Sequence, residues 1–272
     1  MGKILKNIKI RLVVTLHNIL SRSKILRFIA VNLYDTINLC LFGVMRRRHY
    51  IKDDKRKVIY MINGKVASSS IEESFISQKM EKEDDIDIEM EKRGLVYYGS
   101  PSADTADYYK FSVVRNPFPR LVSCYEYRYH KKKYVNGRCV REYDSYLWGS
   151  FKRDKGFREF AHKVCKTPDS RSDQTFISQT YILYKNGRPL VDFIGKIENI
   201  NEDFAIIREK SKLDEIRHAN STDKHKKNWQ DYYDEETAYK VYERYKNDFE
   251  LLGYNEELEA LLSYIRKDMK EK

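Results

Sequence analysis

The chain has 272 residues, 41% hydrophobic and 34% charged, enough for one large domain with a well-buried core. Its net charge of +11 is uneven: residues 1–57 carry 14 Lys and Arg against 3 Asp and Glu, and the remainder balances at 38 of each sign. That neutral body argues against a nucleic-acid partner, and four scattered cysteines (Cys40, Cys124, Cys139, Cys165) without a C-x-x-C or Cys/His cluster argue against structural zinc and a dense disulfide framework.

Residues 1–57 form a basic, apolar N-terminal extension, and residues 58–272 the folded domain. In the extension, Lys3, Lys6, Lys9 and Arg11 alternate with Ile4, Leu5, Ile8, Ile10 and Leu12, the mixture of a basic amphipathic helix at an anionic membrane surface. Residues 28–45 make an 18-residue apolar run interrupted by Asn32, Asp35 and Asn38. An aspartate at mid-span costs about 2.5–3.5 kcal/mol, so interfacial attachment is expected over spanning; helices packed on the domain are the plain alternative. No A-x-A-like cleavage site follows a short apolar core, and Lys6 stands where a myristoylation signal needs Ser or Thr.

Val58 to Ile62 is an apolar run that breaks at Asn63-Gly64, presents Lys65, Val66, Ala67, Ser68, Ser69 and Ser70, and continues into a helical pattern with Ile71 and Phe75 on one face. Strand, tight turn and helix start together offer backbone N–H groups, a positive dipole end, hydroxyls and one ammonium to a phosphate- or sulfate-like anion. An ordinary strand-to-helix turn with a surface lysine is the competing reading. It is not a Walker A loop, because Val66 follows the lysine.

Lys79 to Arg93 is charged and reads as a helix end with a solvated loop. Leu95–Tyr98 is a short strand, and Phe111–Val114 a stronger one that runs into Arg115-Asn116-Pro117. Pro117 and Pro119 suit the first turn of a helix reaching Tyr129, with Leu121, Val122 and Tyr125 inward. Tyr134–Gly156 is aromatic, basic and irregular, an expected excursion near the acceptor. A strand at Val191–Ile197, a helix from Glu202 and two tail helices follow, the first spaced by Ala238, Val241, Tyr242, Tyr245, Phe249 and Leu252.

NGKVASSSI after one strand, FSVVRNPFPRLVSCY after another, DFIGKIENINEDF and YYDEETAYKVYERYKNDFELLGY, in that order over residues 58–254, resemble the carbohydrate sulfotransferases that use 3′-phosphoadenosine 5′-phosphosulfate (PAPS). The resemblance implies an α/β fold with a P-loop-like parallel β-sheet flanked by helices. It implies that Lys65 to Ser70 hold the 5′-phosphosulfate and that Arg115 and Ser123 hold the 3′-phosphate; Gly64 is read as part of the same cofactor-binding turn, and Lys65, a flexible ammonium at the end of the first strand, as the catalytic cation. Lys226, in the basic loop Asn220–Asn228, falls where relatives cover the cofactor; a solvated charge run is the competing reading there. Arg120 is either surface or a flank of the same phosphate.

Three departures stand out. Gly64 replaces a proline common in relatives, Val96-Tyr-Tyr-Gly-Ser stands where some relatives carry histidines, and Asp173-Gln-Thr-Phe-Ile-Ser-Gln179 lacks the histidine of the corresponding family segment. The general base is therefore unassigned. His130, at the end of the Arg115 helix, is the best-placed imidazole, with a helix-dipole cap as its plain reading and Asp104, Asp107, Glu72 and Glu73 as rivals. The expected activity is metal-free transfer of a sulfuryl group from PAPS to a glycan or glycolipid hydroxyl at the cytoplasmic membrane face, or in a Golgi lumen if the source is eukaryotic. A nucleotide-dependent kinase and an inactive glycan-binding module are the alternatives.

Overall fold

The computed structural model describes residues 24–43, 49–76, 86–99, 101–130, 133–135, 138–140, 150–151, 156–216 and 227–271. Helix α1 (Lys24–Phe42) precedes strands β1 (His49–Asp53) and β2 (Val58–Met61). After β2 come α2 (Ser68–Glu73), α3 (Ile86–Lys92), β3 (Val96–Tyr98), β4 (Tyr109–Val114) and α4 (Pro117–His130). The short hairpin β5 (Lys133–Val135) and β6 (Arg138–Val140) leads to α5 (Gly156–Cys165), α6 (Gln179–Leu183), and a second hairpin of β7 (Tyr184–Lys185) and β8 (Arg188–Pro189). Strand β9 (Phe193–Lys196), α7 (Ile200–Ser211), α8 (Glu235–Arg244), α9 (Lys246–Leu251) and α10 (Glu257–Glu271) complete the order.

The main sheet has five strands in the order β3-β1-β2-β4-β9. Strands β2, β4 and β9 are parallel, whereas β1 runs antiparallel to both its neighbours, so the sheet is mixed where a parallel one was expected. Strand β1 lies within the segment read from sequence as an extension, so the sheet begins at His49. Its charged residues hide it from a hydropathy reading, yet they have local work: Asp53 accepts from the N–H groups of Lys55 and Arg56 at 2.9 and 3.1 Å and closes the β1–β2 turn.

Helices cover both faces. One core joins Val58, Tyr60, Val66, Ile71 and Phe75 to Ile200, Phe204 and Ile207 of α7; the other joins Ile59 and Met61 to Phe118, Leu121 and Val122 of α4 and to α5, α8 and α10. Because β2, β4 and β9 point the same way, the turns that leave them, at residues 62–67, 115–116 and 197–199, gather along one edge, where ligands of open α/β sheets bind.

Helix α1 is turned the opposite way from an ordinary surface helix. Asn32, Asp35 and Asn38 are buried, while Ile29, Leu33, Ile37 and Leu41 are 50%, 55%, 47% and 69% exposed. Among the described residues no helix is long and apolar enough to cross a membrane. The first tail helix breaks at Tyr245, separating α8 from α9. The Tyr245 hydroxyl donates to the Phe176 carbonyl at 2.5 Å, and the turn it begins brings Asp248 to the N–H groups of Gln179 and Thr180, both at 2.8 Å.

Candidate active site

The turn after β2 is strained and pinned. Lys65 and Ala67 both adopt left-handed backbone, φ 70° and 60°, at about 1–2 kcal/mol each. Gly64 does not; its lack of a side chain serves packing, since a Cβ there would stand 2.6 Å from the Gln174 carbonyl oxygen. Val66 is buried in the core and offers the turn only backbone. Ser68 and Ser70 are half-buried and Ser69 exposed at the start of α2, whose first N–H groups have no acceptor within their own helix.

Arg120 is what holds this turn. It is 2% exposed, and its guanidinium donates to the carbonyls of Gly64 at 3.0 Å, Ile177 at 2.8 Å and Gln174 at 3.4 Å and to Asn63 Oδ1 at 3.2 Å. The reading of Arg120 as a surface residue is thereby overturned, and a group so saturated by protein acceptors is a structural clamp. Asn63 in turn donates through Nδ2 to the Val113 carbonyl at 3.1 Å and to Gln179 Oε1 at 2.9 Å.

The turn after β4 is fixed by the same glutamine. Gln179 Oε1 accepts from the Arg115 N–H at 2.9 Å and its Nε2 donates to the Arg115 carbonyl at 2.8 Å. Asn116 Oδ1 accepts from the Phe118 N–H at 3.0 Å and starts α4. The Arg115 side chain reaches across to the first turn, its Nη1 donating to the Lys65 carbonyl at 3.4 Å. Burial lowers the Arg115 pKa from its ordinary value, against the opposing effect of Glu198. Glu198 itself accepts from the Asn116 N–H at 2.8 Å and from the Tyr254 hydroxyl at 2.9 Å.

Lys65 closes the arrangement from the other side: its ammonium lies 4.1 Å from the ring centroid of Tyr127 on α4. Ser123 stands one helical turn before Tyr127 and is half-buried, so the face of α4 that meets the first turn is also the one that carries Ser123. The structure thus brings Lys65, the small residues of its turn, Arg115 and the Ser123 face of α4 to one edge. His130 ends α4, and its side chain lies outside the described residues, as does Lys226. The neighbouring Lys227 ammonium lies 4.8 Å from the Tyr232 ring.

The sequence reading assigned no role to the Asn63, Tyr127 and Gln179 side chains, and weighed Arg120 only as a surface residue or a flank of the 3′-phosphate. Gln179 was within reach, because it closes the Asp173-to-Gln179 segment already singled out. A family model described as the sulfotransferase family matches residues 48–255. No curated protein and no solved structure matches the chain.

Proposed function

Because the chain belongs to the sulfotransferase family, whose general activity is sulfuryl transfer, we propose that its donor is PAPS and its acceptor a hydroxyl of a glycan or glycolipid. The observation that carries the donor is the meeting of two anion-competent turns, with Arg115 Nη1 3.4 Å from the Lys65 carbonyl and the Lys65 ammonium held from α4. A donor with a charged group at each end suits such a pair. Backbone left-handed at Lys65 and Ala67 suits it too, since it turns successive N–H groups toward one anion.

When bound, the donor supplies a sulfuryl group activated by its anhydride to phosphate. Lys65, the N–H groups of residues 66–69 and the hydroxyls of Ser68, Ser69 and Ser70 would bind the phosphosulfate end, with Lys65 neutralising charge on the leaving oxygen. Arg115 and Ser123 would bind the 3′-phosphate, where a charge-assisted contact is worth about 1.5–3 kcal/mol. Thermal unfolding with adenosine 3′,5′-bisphosphate, with ATP and Mg²⁺, and without ligand tests the donor. The bisphosphate at 100 times its dissociation constant should stabilise the protein by about 2.7 kcal/mol. Stabilisation by ATP and Mg²⁺ alone would favour a kinase.

The extension supports a place for this chemistry. The outward apolar face of α1, within a segment of 14 basic and 3 acidic residues, suits interfacial contact with an anionic bilayer. A glycolipid acceptor at the cytoplasmic face, or in a Golgi lumen in a eukaryote, would then lie within reach.

A further inference from the structure

A hydroxyl that attacks the sulfuryl group must lose its proton, and most of the carboxylates weighed from sequence stand elsewhere or are engaged. Asp107 is ion-paired with Lys57 beside the Val58–Tyr109 pair, at the far end of the strands from the turns. Asp104 accepts from the Ser102 hydroxyl, and Glu72 is buried in the core beside Tyr60. His162 packs between α5 and α8, its Nε2 3.3 Å from Thr237 Oγ1.

His49 is placed differently. Because β1 alone runs against β2, the first residue of β1 lies at the edge where β2 and β3 end. Tyr50 pairs with Met61, which sets His49 level with Ile62 at the opening of the Lys65 turn, and His49 itself pairs with Tyr98. The half-buried imidazole is 6.2 Å from the Tyr98 ring, and its Nδ1 meets the Gln174 carboxamide. The backbone carbonyl of that same Gln174 is the wall on which Gly64 is seated, and Arg120 ties both carbonyls, at 3.0 and 3.4 Å. One rigid group therefore joins the imidazole to the turn that bears Lys65.

We propose that His49 is the general base of the reaction. This rests on the sulfuryl-transfer reading of the site. The Gln174 amide nitrogen faces Nδ1; turning that carboxamide over puts its Oε1 on the Nδ1 proton and makes Nε2 the basic nitrogen. It takes the hydroxyl proton as the acceptor oxygen bonds to sulfur and the bond from sulfur to the bridging phosphate oxygen breaks; the leaving oxygen keeps the electron pair beside Lys65, and the imidazolium returns its proton to water. A histidine brought from a neighbouring strand thus stands beside Tyr98, in the region where the sequence has Val96-Tyr-Tyr-Gly-Ser and no histidine.

Water is the acceptor for the test, so that the natural glycan need not be known. Release of labelled sulfate from saturating PAPS should fall about 10²–10⁴-fold in His49→Asn. Asparagine keeps a polar atom for Gln174, so a structural role predicts near-normal rates in that variant. Calorimetric affinity for adenosine 3′,5′-bisphosphate should stay within about twofold of wild type, and added imidazole should restore hydrolysis in His49→Gly. His49→Gln serves in the same way should the asparagine variant not fold. Hydrolysis within about threefold of wild type, loss of nucleotide affinity in step with rate, or no rescue by imidazole overturns the assignment. A wild-type protein that neither binds the bisphosphate nor releases sulfate overturns the sulfuryl-transfer reading itself, and the base with it.

Discussion

Lys65 and Arg120 are both cations at the first turn, and the structure separates their roles. The Lys65 ammonium rests on an aromatic face, a contact worth about 0.5–2 kcal/mol that a bound anion can outbid. Single-turnover transfer with saturating donor should fall about 10²–10³-fold in Lys65→Ala, with a smaller change in nucleotide affinity. Tyr127→Phe should keep the rate and Tyr127→Leu should lower it; equal rates in both would show that the ring does not position the ammonium. Arg120→Met should instead act on folding. It strips a donor from the buried Ile177 carbonyl, the part-buried Gly64 and Gln174 carbonyls and Asn63 Oδ1, and chemical denaturation should report a loss of about 3–5 kcal/mol. Arg120→Lys should recover only part, because an ammonium cannot reproduce the planar fork. In the sequence the two arginines of Arg115-Asn-Pro-Phe-Pro-Arg120 look alike. What tells them apart is the approach of residues 174–177, more than fifty positions away, which no local pattern contains.

At the scale of elements, β2, β4 and β9 were legible because a strand covered on both faces is written as an apolar run. Strand β1 was not, since His49, Lys52 and Asp53 interrupt it. The tail helix was read as continuous because its apolar spacing persists through Tyr245, although the break there is what lets Asp248 reach Gln179 and Thr180. Helix α1 yields a prediction of its own. Its outward Ile29, Leu33, Ile37 and Leu41 should add to the pull of the basic extension, so the full chain should float with anionic liposomes and poorly with neutral ones. Replacing Ile29, Leu33 and Ile37 by serine should weaken flotation at least tenfold, at about 0.8 kcal/mol for each buried CH₂ withdrawn. Equal flotation on neutral vesicles, or no effect of the serines, would rule this out.

Across the whole molecule, the C-terminal segment braces the second turn from behind: Glu257 Oε2 accepts from Asn116 Nδ2 at 2.6 Å, and Tyr254 bonds Glu198. The resemblance located the two turns in the sequence, but their separation depends on contacts between distant segments, above all through Gln179. That buried amide touches Asn63 at the end of one strand and both backbone atoms of Arg115 at the end of the other. Arg115→Ala should weaken adenosine 3′,5′-bisphosphate much more than adenosine 5′-phosphate in calorimetric titration, by about 1.5–3 kcal/mol. Gln179→Ala, which touches no ligand in this reading, should narrow the same preference; an unchanged preference would mean that the strand ends keep their places without it. The carboxamide works as the fixed jaw-setting of a calliper: it sets the gap between two charged grips, and a nucleotide is then selected by its length.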